Sequence, residues 1–287
     1  MPMTAPQLSV LRRAGLLALI ALCLVGCESE RKIYALTSTG KILGFDSSAP
    51  DQIDSEVSVS GLSSDESLVQ ITYRPATGGY YCLTSDERLC TVDPSSGSVS
   101  LVSTTAFSSE DLPNAAIDFN PVADRLRVVS NVKNLRVNPA DGSLQAADTD
   151  LAYDEDDDNA DSSPQLAAIA YDHNDSGASS TTLYGLDVVT QSLVRVGSEG
   201  GSPNSPNGGL LFTIAKTSVA FTANAALDIE PGGDTAYAVL GANGLGAALY
   251  RLNLSDGSAD LVGSIDDGDR TIISLAVAPE EQTSSAN

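Results

Sequence analysis

The sequence repeats a short apolar segment that ends at a proline. The copies read ITYRP, IDFNP, LDIEP and AVAP, ending at Pro75, Pro121, Pro231 and Pro279, and His173 takes the place of the proline after IAYD. Further short apolar segments, separated by turn residues, follow most copies. A repeat of roughly 45 to 60 residues built from short strands is typical of propeller blades and not of helical solenoids.

The stretch 115–142, AAIDFNPVADRLRVVSNVKNLRVNPADG, contains three short apolar strands joined by two tight turns. Its closing turn, NPADG from Asn138, recurs as DPSSG from Asp93 and NLSDG from Asn253. We interpret the stretch as most of one blade. Composition agrees, because 42% of the residues are hydrophobic, enough for a core, and turn residues recur at short intervals.

Counting the copies predicts the number of blades. The copy from Leu68 has four strands, whereas the third copy, which contains His173, is irregular. In that copy we assign LYGLD from Leu183 as the second strand and 193–196 and 210–214 as the third and fourth, around an insertion rich in Pro, Gly and Asn.

The C-terminal segment IISLAVAP, from Ile272 to Pro279, is a first strand followed only by a polar tail. The N-terminal part supplies three strands, 33–36, 41–45 and 56–59, the second of them ending in a turn over 46–50. Pairing the C-terminal strand with these N-terminal strands completes a blade and removes exposed sheet edges. The expected fold is an all-β, five-bladed propeller closed in this way, with six blades as the alternative.

The first 26 residues resemble a secretory signal, since Arg12 and Arg13 precede an apolar run that is short for a bilayer span. The run ends in LVGC, the lipobox pattern of bacterial lipoproteins, which predicts cleavage before Cys27 and lipidation of its thiol. An ordinary signal peptide or an uncleaved anchor is the alternative. The expected domains are signal peptide 1–26, lipidated cysteine and tether 27–32, propeller 33–280 and polar tail 281–287.

This reading places the protein in the bacterial cell envelope, attached to a membrane through Cys27. Glu28, the residue after the lipidated cysteine, differs from the aspartate associated with inner-membrane retention, so the outer membrane or periplasmic face is favoured. Without its signal the chain has a formal net charge of −25. Such acidity argues against a nucleic-acid partner and against adhesion to anionic lipid. We expect a monomer.

Two further cysteines, Cys82 and Cys90, flank the predicted hairpin loop 84–87 and can face each other across neighbouring strands. In an exported protein this arrangement predicts a disulfide. Two buried free thiols are the alternative, and metal binding is disfavoured because no histidine supports the pair.

A series of motifs follows the order of a known family: IYALT, DFNPVADRLRVVS with NLRVN, TDLAY, TLYGLD, PNGGLL and ALDI. The chain resembles the bacterial domain-of-unknown-function family 4394 over most of its mature length. The resemblance implies a propeller-like fold in exported proteins and no established activity. The acidic run after Tyr153 departs from the Gly/Ala-rich loop expected there.

Three charged residues in the stretch 115–142 exceed what a blade requires. The turn lengths predict that Asp118 lies opposite Arg127, and Arg127 opposite Arg136, in a row across three strands. Because buried charges are normally paired, an ion network between blades, with a neighbouring carboxylate such as Asp228, is favoured over an anion site on the same residues.

The segment DTDLAYDEDDDNADSS, 148–163, is the second candidate site. Asp154, Asp156 and Asp158 have the alternating spacing of calcium loops, but Asn159 replaces the turn glycine and Gln165 the bidentate glutamate. A solvated acidic loop is therefore favoured over a weak Ca²⁺ site. No other cofactor is expected.

Enzyme motifs are poorly represented, and no catalytic residue is assigned. His173 is the only histidine, which leaves little for a Ser-His-Asp triad or a zinc site, and no Gly-rich phosphate loop is present. We therefore favour a lipid-anchored binding or scaffold module for an unknown protein or small-molecule ligand. The alternative is a carboxylate- or Ca-dependent hydrolase, similar to a glycosidase or lactonase.

Overall fold

The computed structural model describes Met1 and residues 30–241 and 246–280, and in them 21 strands form five sheets. The predicted signal peptide, Cys27 and the tail 281–287 lie outside the described residues. Within the described ranges, no helix has the length and hydropathy needed to cross a membrane.

Each sheet is one blade, and the strands are listed in chain order. Blade 1 contains β1 (Lys32–Thr37), β2 (Lys41–Asp46) and β3 (Ala49–Ser58); blade 2 contains β4 (Leu68–Arg74), β5 (Gly79–Thr84), β6 (Leu89–Asp93) and β7 (Ser98–Leu101). Blade 3 contains β8 (Ala116–Asn120), β9 (Arg125–Ser130), β10 (Lys133–Val137) and β11 (Leu144–Ala147). Blade 4 contains β12 (Ala152–Tyr153), β13 (Leu166–Tyr171), β14 (Leu183–Asp187), β15 (Ser192–Val196) and β16 (Leu210–Lys216). Blade 5 contains β17 (Ala226–Ile229), β18 (Ala236–Leu240), β19 (Ala248–Leu252) and β20 (Ala259–Ser264), and β21 (Ile272–Val277) returns to blade 1.

The ring closes as the sequence predicts. β21 pairs with β1, with Val277 opposite Ile33 and Leu275 opposite Ala35. The innermost strands β21, β4, β8, β13 and β17 contact one another in succession around the axis. The five-bladed propeller and the assignment of the irregular blade 4 are both confirmed, because 183–187, 192–196 and 210–216 are its second, third and fourth strands.

Two details differ from the sequence expectation. β3 begins at Ala49, so the turn predicted over 46–50 is shorter and Pro50 lies inside a strand. β3 is the outermost strand of blade 1, where the missing N–H of a proline costs no ladder hydrogen bond. The second difference is β12, a short strand that adds to blade 4 parallel to β16.

The two ends of the axis differ in what they carry. At one end, here called the proline end, the innermost strands finish at Pro75, Pro121, Pro231 and Pro279 and at the residues before His173. Because β1 is antiparallel to β21, it begins at this end, and so does Arg31. The opposite end, here called the loop end, carries the connections from one blade to the next.

Packing between blades forms the core. Between blades 4 and 5, for example, Leu186, Ile229, Leu240 and Leu252 form one buried cluster. The innermost strands are buried on both faces, which explains their continuous apolar sequences. The predicted disulfide is also present, because Cys82 and Cys90 are paired across β5 and β6 and joined through their sulfur atoms.

Candidate functional site at the propeller axis

The innermost strand of every blade has one edge without a neighbouring strand, so its N–H groups need other acceptors. Asp118 on β8 supplies two of them. Its Oδ1 accepts from Thr72 Oγ1 and from Phe119 N, each at 2.7 Å, and its Oδ2 accepts from Tyr171 N at 2.6 Å. One carboxylate therefore joins blades 2, 3 and 4.

Asp228 on β17 repeats this arrangement at the seam where the ring closes. Its Oδ1 accepts from Ile229 N at 2.8 Å and its Oδ2 from Val277 N at 2.6 Å. Asp118 and Asp228 both stand three residues before the proline of their copy, and Ala170 and Ala276 hold the equivalent position in the blade that each carboxylate reaches.

Neutral side chains join the two remaining seams. Ile71 N donates to Ser274 Oγ at 3.0 Å between blades 1 and 2, and Asn174 Nδ2 donates to Ile229 O at 3.4 Å between blades 4 and 5. Together with the two aspartates, these side chains form an axial ring of hydrogen bonds that links all five blades.

Both axial carboxyl groups have raised pKa values. Burial raises the pKa of Asp118 to about 7, although three hydrogen bonds oppose the change. Burial also raises the pKa of Asp228 well above its usual range, and the negative charge of Asp118 adds to the effect. No cation is among the hydrogen-bond partners of either group. With 1% and 3% of their surface exposed, Asp118 and Asp228 are placed to hold the ring together and not to contact a substrate.

The predicted row of charges has the expected register, with Asp118 opposite Arg127 and Arg127 opposite Arg136. The carboxylate that binds both arginines, however, is Asp148. Its Oδ2 accepts from Arg127 Nη1 and from Arg136 Nε, each at 2.7 Å, and its Oδ1 accepts from Arg136 Nη2 at 2.8 Å. Asp228, the carboxylate that the sequence suggests for this network, belongs to the axial ring instead.

Asparagine side chains complete the network around Arg127. Arg127 Nη1 donates to Asn134 Oδ1 at 2.7 Å, and Nη2 donates to Asn207 Oδ1 at 2.6 Å. Burial opposes ionisation of Asp148, but the hydrogen bonds from both arginines outweigh it and lower the pKa of this carboxyl. Because the donors of Arg127 already have acceptors within the chain, the geometry favours an ion network between blades 3 and 4 over an anion site.

The acidic segment 148–163 crosses the loop end between blades 3 and 4. Its anchor is Asp157, whose two carboxylate oxygens accept from Thr213 N at 2.6 Å and Thr213 Oγ1 at 2.8 Å. Asp156 and Asp158 are exposed and Asp154 is half-buried. Among residues 30–241 and 246–280, no three His, Cys, Asp or Glu side chains lie together as metal ligands. Calcium binding at Asp154, Asp156 and Asp158 stays a prediction.

His173 lies at the proline end, and its Nδ1 is 3.0 Å from Asp172 Oδ1. Asp172 is itself held by Thr182 N at 2.5 Å. The hydrogen bond to Asp172 raises the pKa of His173. The imidazole side chain is 57% exposed.

A recess of about 560 Å³ opens where the axis meets the proline end, and we call it the axial mouth. Arg31, Tyr73, Asn174, Asp175 and Glu280 line it, together with Ser176, Gly232 and prolines of three copies. Asn174 is 1% exposed and its Oδ1 has no hydrogen-bond partner in the described part of the chain. Asn174 could not be predicted from the sequence, because its role depends on the closed ring.

The family model for a domain of unknown function, DUF4394, matches residues 30–276. The chain belongs to the DUF4394 family. The motifs that carried the sequence resemblance supply the residues described above: IDFN contains Asp118, ALDI contains Asp228, NLRVN contains Arg136, and PNGGLL contains Asn207. No curated protein matches the chain.

Solved structures similar to this DUF4394 chain show low sequence identity. The crystal structure of a nidogen/laminin complex has 10% identity and a TM-score of 0.49, covering 87% of this chain and 98% of that one. A protein of unknown function from Bacteroides thetaiotaomicron has 10% identity and a TM-score of 0.48, covering 86% and 56%. TolB from Acinetobacter baumannii has 12% identity and a TM-score of 0.42, covering 88% and 67%. These likenesses carry no argument about function.

Proposed function

We propose that this DUF4394 protein is a lipid-anchored binding or scaffold module of the bacterial envelope. In this proposal, acyl chains on Cys27 attach the propeller to the outer membrane or the periplasmic face. The propeller then presents its loop end to a protein or small-molecule partner.

The observation that carries the proposal is the position of Arg31 at the proline end. Four residue steps separate Cys27 from Arg31, and a fully extended chain covers at most about 14 Å over that length. A lipid on Cys27 would therefore hold the proline end close to the bilayer. The loop end would point away, with the blade-to-blade connections accessible to a partner.

The axial carboxylates support binding over hydrolysis. A carboxylate pair that hydrolyses a glycoside has to reach the scissile bond. Asp118 and Asp228 are instead buried, and N–H donors of two neighbouring blades occupy both oxygens of each. A hydrolase that uses these acids would have to open the ring seams.

Membrane fractionation tests the anchor. The wild-type chain is expected in the membrane fraction, and Cys27→Ser is expected to lose the acyl modification and its mass. A Cys27→Ser chain that stays in the membrane fraction to the same extent as the wild type would contradict the proposal.

Fluorescence quenching tests the orientation. A fluorophore is attached to Ser255→Cys in the blade 5 turn at the proline end, or to Ser163→Cys at the loop end, and each protein is anchored in vesicles with headgroup-labelled quencher lipid. Ser255 and Ser163 are both exposed, which makes the two sites a matched pair. Stronger quenching at position 255 supports the orientation, whereas equal or stronger quenching at position 163 contradicts it.

A further inference from the structure

The axial mouth contains a buried acceptor that the fold does not use. Asn174 donates through Nδ2 to Ile229 O, and this bond fixes the amide so that Oδ1 is the free atom. A buried amide oxygen without a donor destabilises the folded state, so native chains rarely retain one without a reason. A donor brought by an occupant of the mouth would recover this free energy.

The formal charges around the mouth favour a cation. Arg31 is the one cationic side chain among the residues that line the recess. Its Nε is 3.2 Å from Glu230 Oε2 and its Nη1 is 3.6 Å from Glu280 Oε2. Nη1 has no hydrogen-bond partner in the described residues, but the charge of Arg31 is balanced by these two carboxylates, and Asp175 adds a further negative charge. An anionic ligand would meet net repulsion.

The walls fit a small group that carries both charge and N–H donors. The side chain of Tyr73 lines the mouth beside proline rings, and its pKa is raised by burial and by the nearby charge of Asp175. Aromatic and apolar walls with a few converging polar groups are typical of small-molecule sites. An ammonium group has three donors and no acceptor, which matches a recess lined by a buried amide oxygen and two carboxylates.

We propose that the axial mouth binds a primary ammonium group, with Asn174 Oδ1 as its buried acceptor and Asp175 and Glu280 as its counter-charges. A soluble amine is one source of this group. The headgroup of phosphatidylethanolamine is the other, because the proline end faces the bilayer if Cys27 is lipidated. The lipid source rests on the proposed function, whereas the chemistry of the mouth does not.

Calorimetric titration of the full-length protein in neutral detergent tests the chemistry. Ethanolamine and choline are compared because both carry one positive charge, but choline has no N–H donor. Ethanolamine is expected to bind saturably. Choline is expected to bind at least about tenfold more weakly, the factor that corresponds to losing a hydrogen bond to a charged group.

Three variants locate the site. Asn174→Leu and Asp175→Asn are each expected to weaken ethanolamine binding about tenfold. Asp256→Asn removes the same charge from an exposed turn at the same end and is expected to leave binding unchanged. If Asn174→Leu fails to fold, Asp175→Asn still decides, because the exposed Asp175 carboxylate makes no hydrogen bond with residues 30–241 or 246–280. Equal binding of the two amines, or unchanged binding by Asp175→Asn, would overturn the proposal.

Hydrogen exchange of the anchored protein in vesicles separates the two sources. Protection of residues 174–176 in phosphatidylethanolamine but not in phosphatidylcholine vesicles supports the lipid headgroup. Ethanolamine binding without this protection supports a soluble amine. Absence of both overturns the ammonium site, while the fate of Cys27 is decided independently by the acylation test.

Discussion

Replacing Asp228 by alanine removes the acceptor that closes the ring at its last seam. Asp228 accepts from Ile229 N on its own strand and from Val277 N on β21. Ala278 N donates to Lys32 O at 2.8 Å, and antiparallel ladders alternate, so the N–H of Val277 points away from β1. In Asp228→Ala both donors would stay buried without an acceptor.

The expected loss of stability follows from these two donors. A buried donor left without a partner costs about 1–3 kcal/mol, so Asp228→Ala should lower the free energy of unfolding by about 2–6 kcal/mol. The loss should be largest near pH 4. The raised pKa of Asp228 means that the wild-type carboxyl is protonated there at no cost, and that wild-type stability falls as the pH rises and the group must ionise while buried.

Urea unfolding at pH 4 and pH 8, followed by a tryptophan-independent probe such as far-UV circular dichroism, measures this loss. Asp256→Ala is the matched control, since Asp256 is exposed and bonds only to Ser258 in its own turn, at 2.9 and 2.7 Å. Its cost should be about 1 kcal/mol or less. If Asp228→Ala costs no more than Asp256→Ala at pH 4, the axial ring does not stabilise the closure.

Three further changes test the remaining interactions. Asp118→Asn should gain stability relative to wild type as the pH rises from about 4 to 7. The reason is that only the wild-type group ionises, and its raised pKa lies at the upper limit of that window. A difference in urea midpoints that does not change with pH would contradict this. Asp148→Asn leaves the buried guanidinium of Arg127 without a carboxylate and should lower the free energy of unfolding by about 3–5 kcal/mol. A smaller loss than the one caused by replacing an exposed aspartate would contradict this. Reducing the Cys82–Cys90 disulfide, which closes a separation of 8 residues, should cost about 2 kcal/mol, and an unchanged urea midpoint would contradict a stabilising role.

The sequence predicted the innermost strands, the strand that closes the ring and the register of the hairpin in blade 3. Segments such as ITYRP and IDFNP marked the innermost strands, because a strand buried on both faces is continuously apolar and a proline at its end forces a turn. The lone C-terminal copy predicted the closure with β1. Turn lengths were enough to place Asp118 opposite Arg127, since the register of a hairpin follows from its turn.

The ion-pair partners of the charged residues could not be predicted from turn lengths. Asp148 lies in a connection at the end of blade 3, and the network reaches Asn207, which is 80 residues from Arg127. The local sequence does not indicate which of the 38 acidic residues will form an ion pair with a given arginine. The register was therefore predictable, while the identity of the ion pair was not.

The sequence by itself determined the blades, their number and the strand that closes them, because each depends on hydrophobic periodicity and turn residues within a few positions. Only the tertiary structure decided what the axis does. The carboxylates of Asp118 and Asp228 join neighbouring blades by hydrogen bonds, and Asn174, Asp175 and Arg31 meet at one mouth. These residues meet because five inner strands converge on one axis, which is a property of the closed ring and of no single blade.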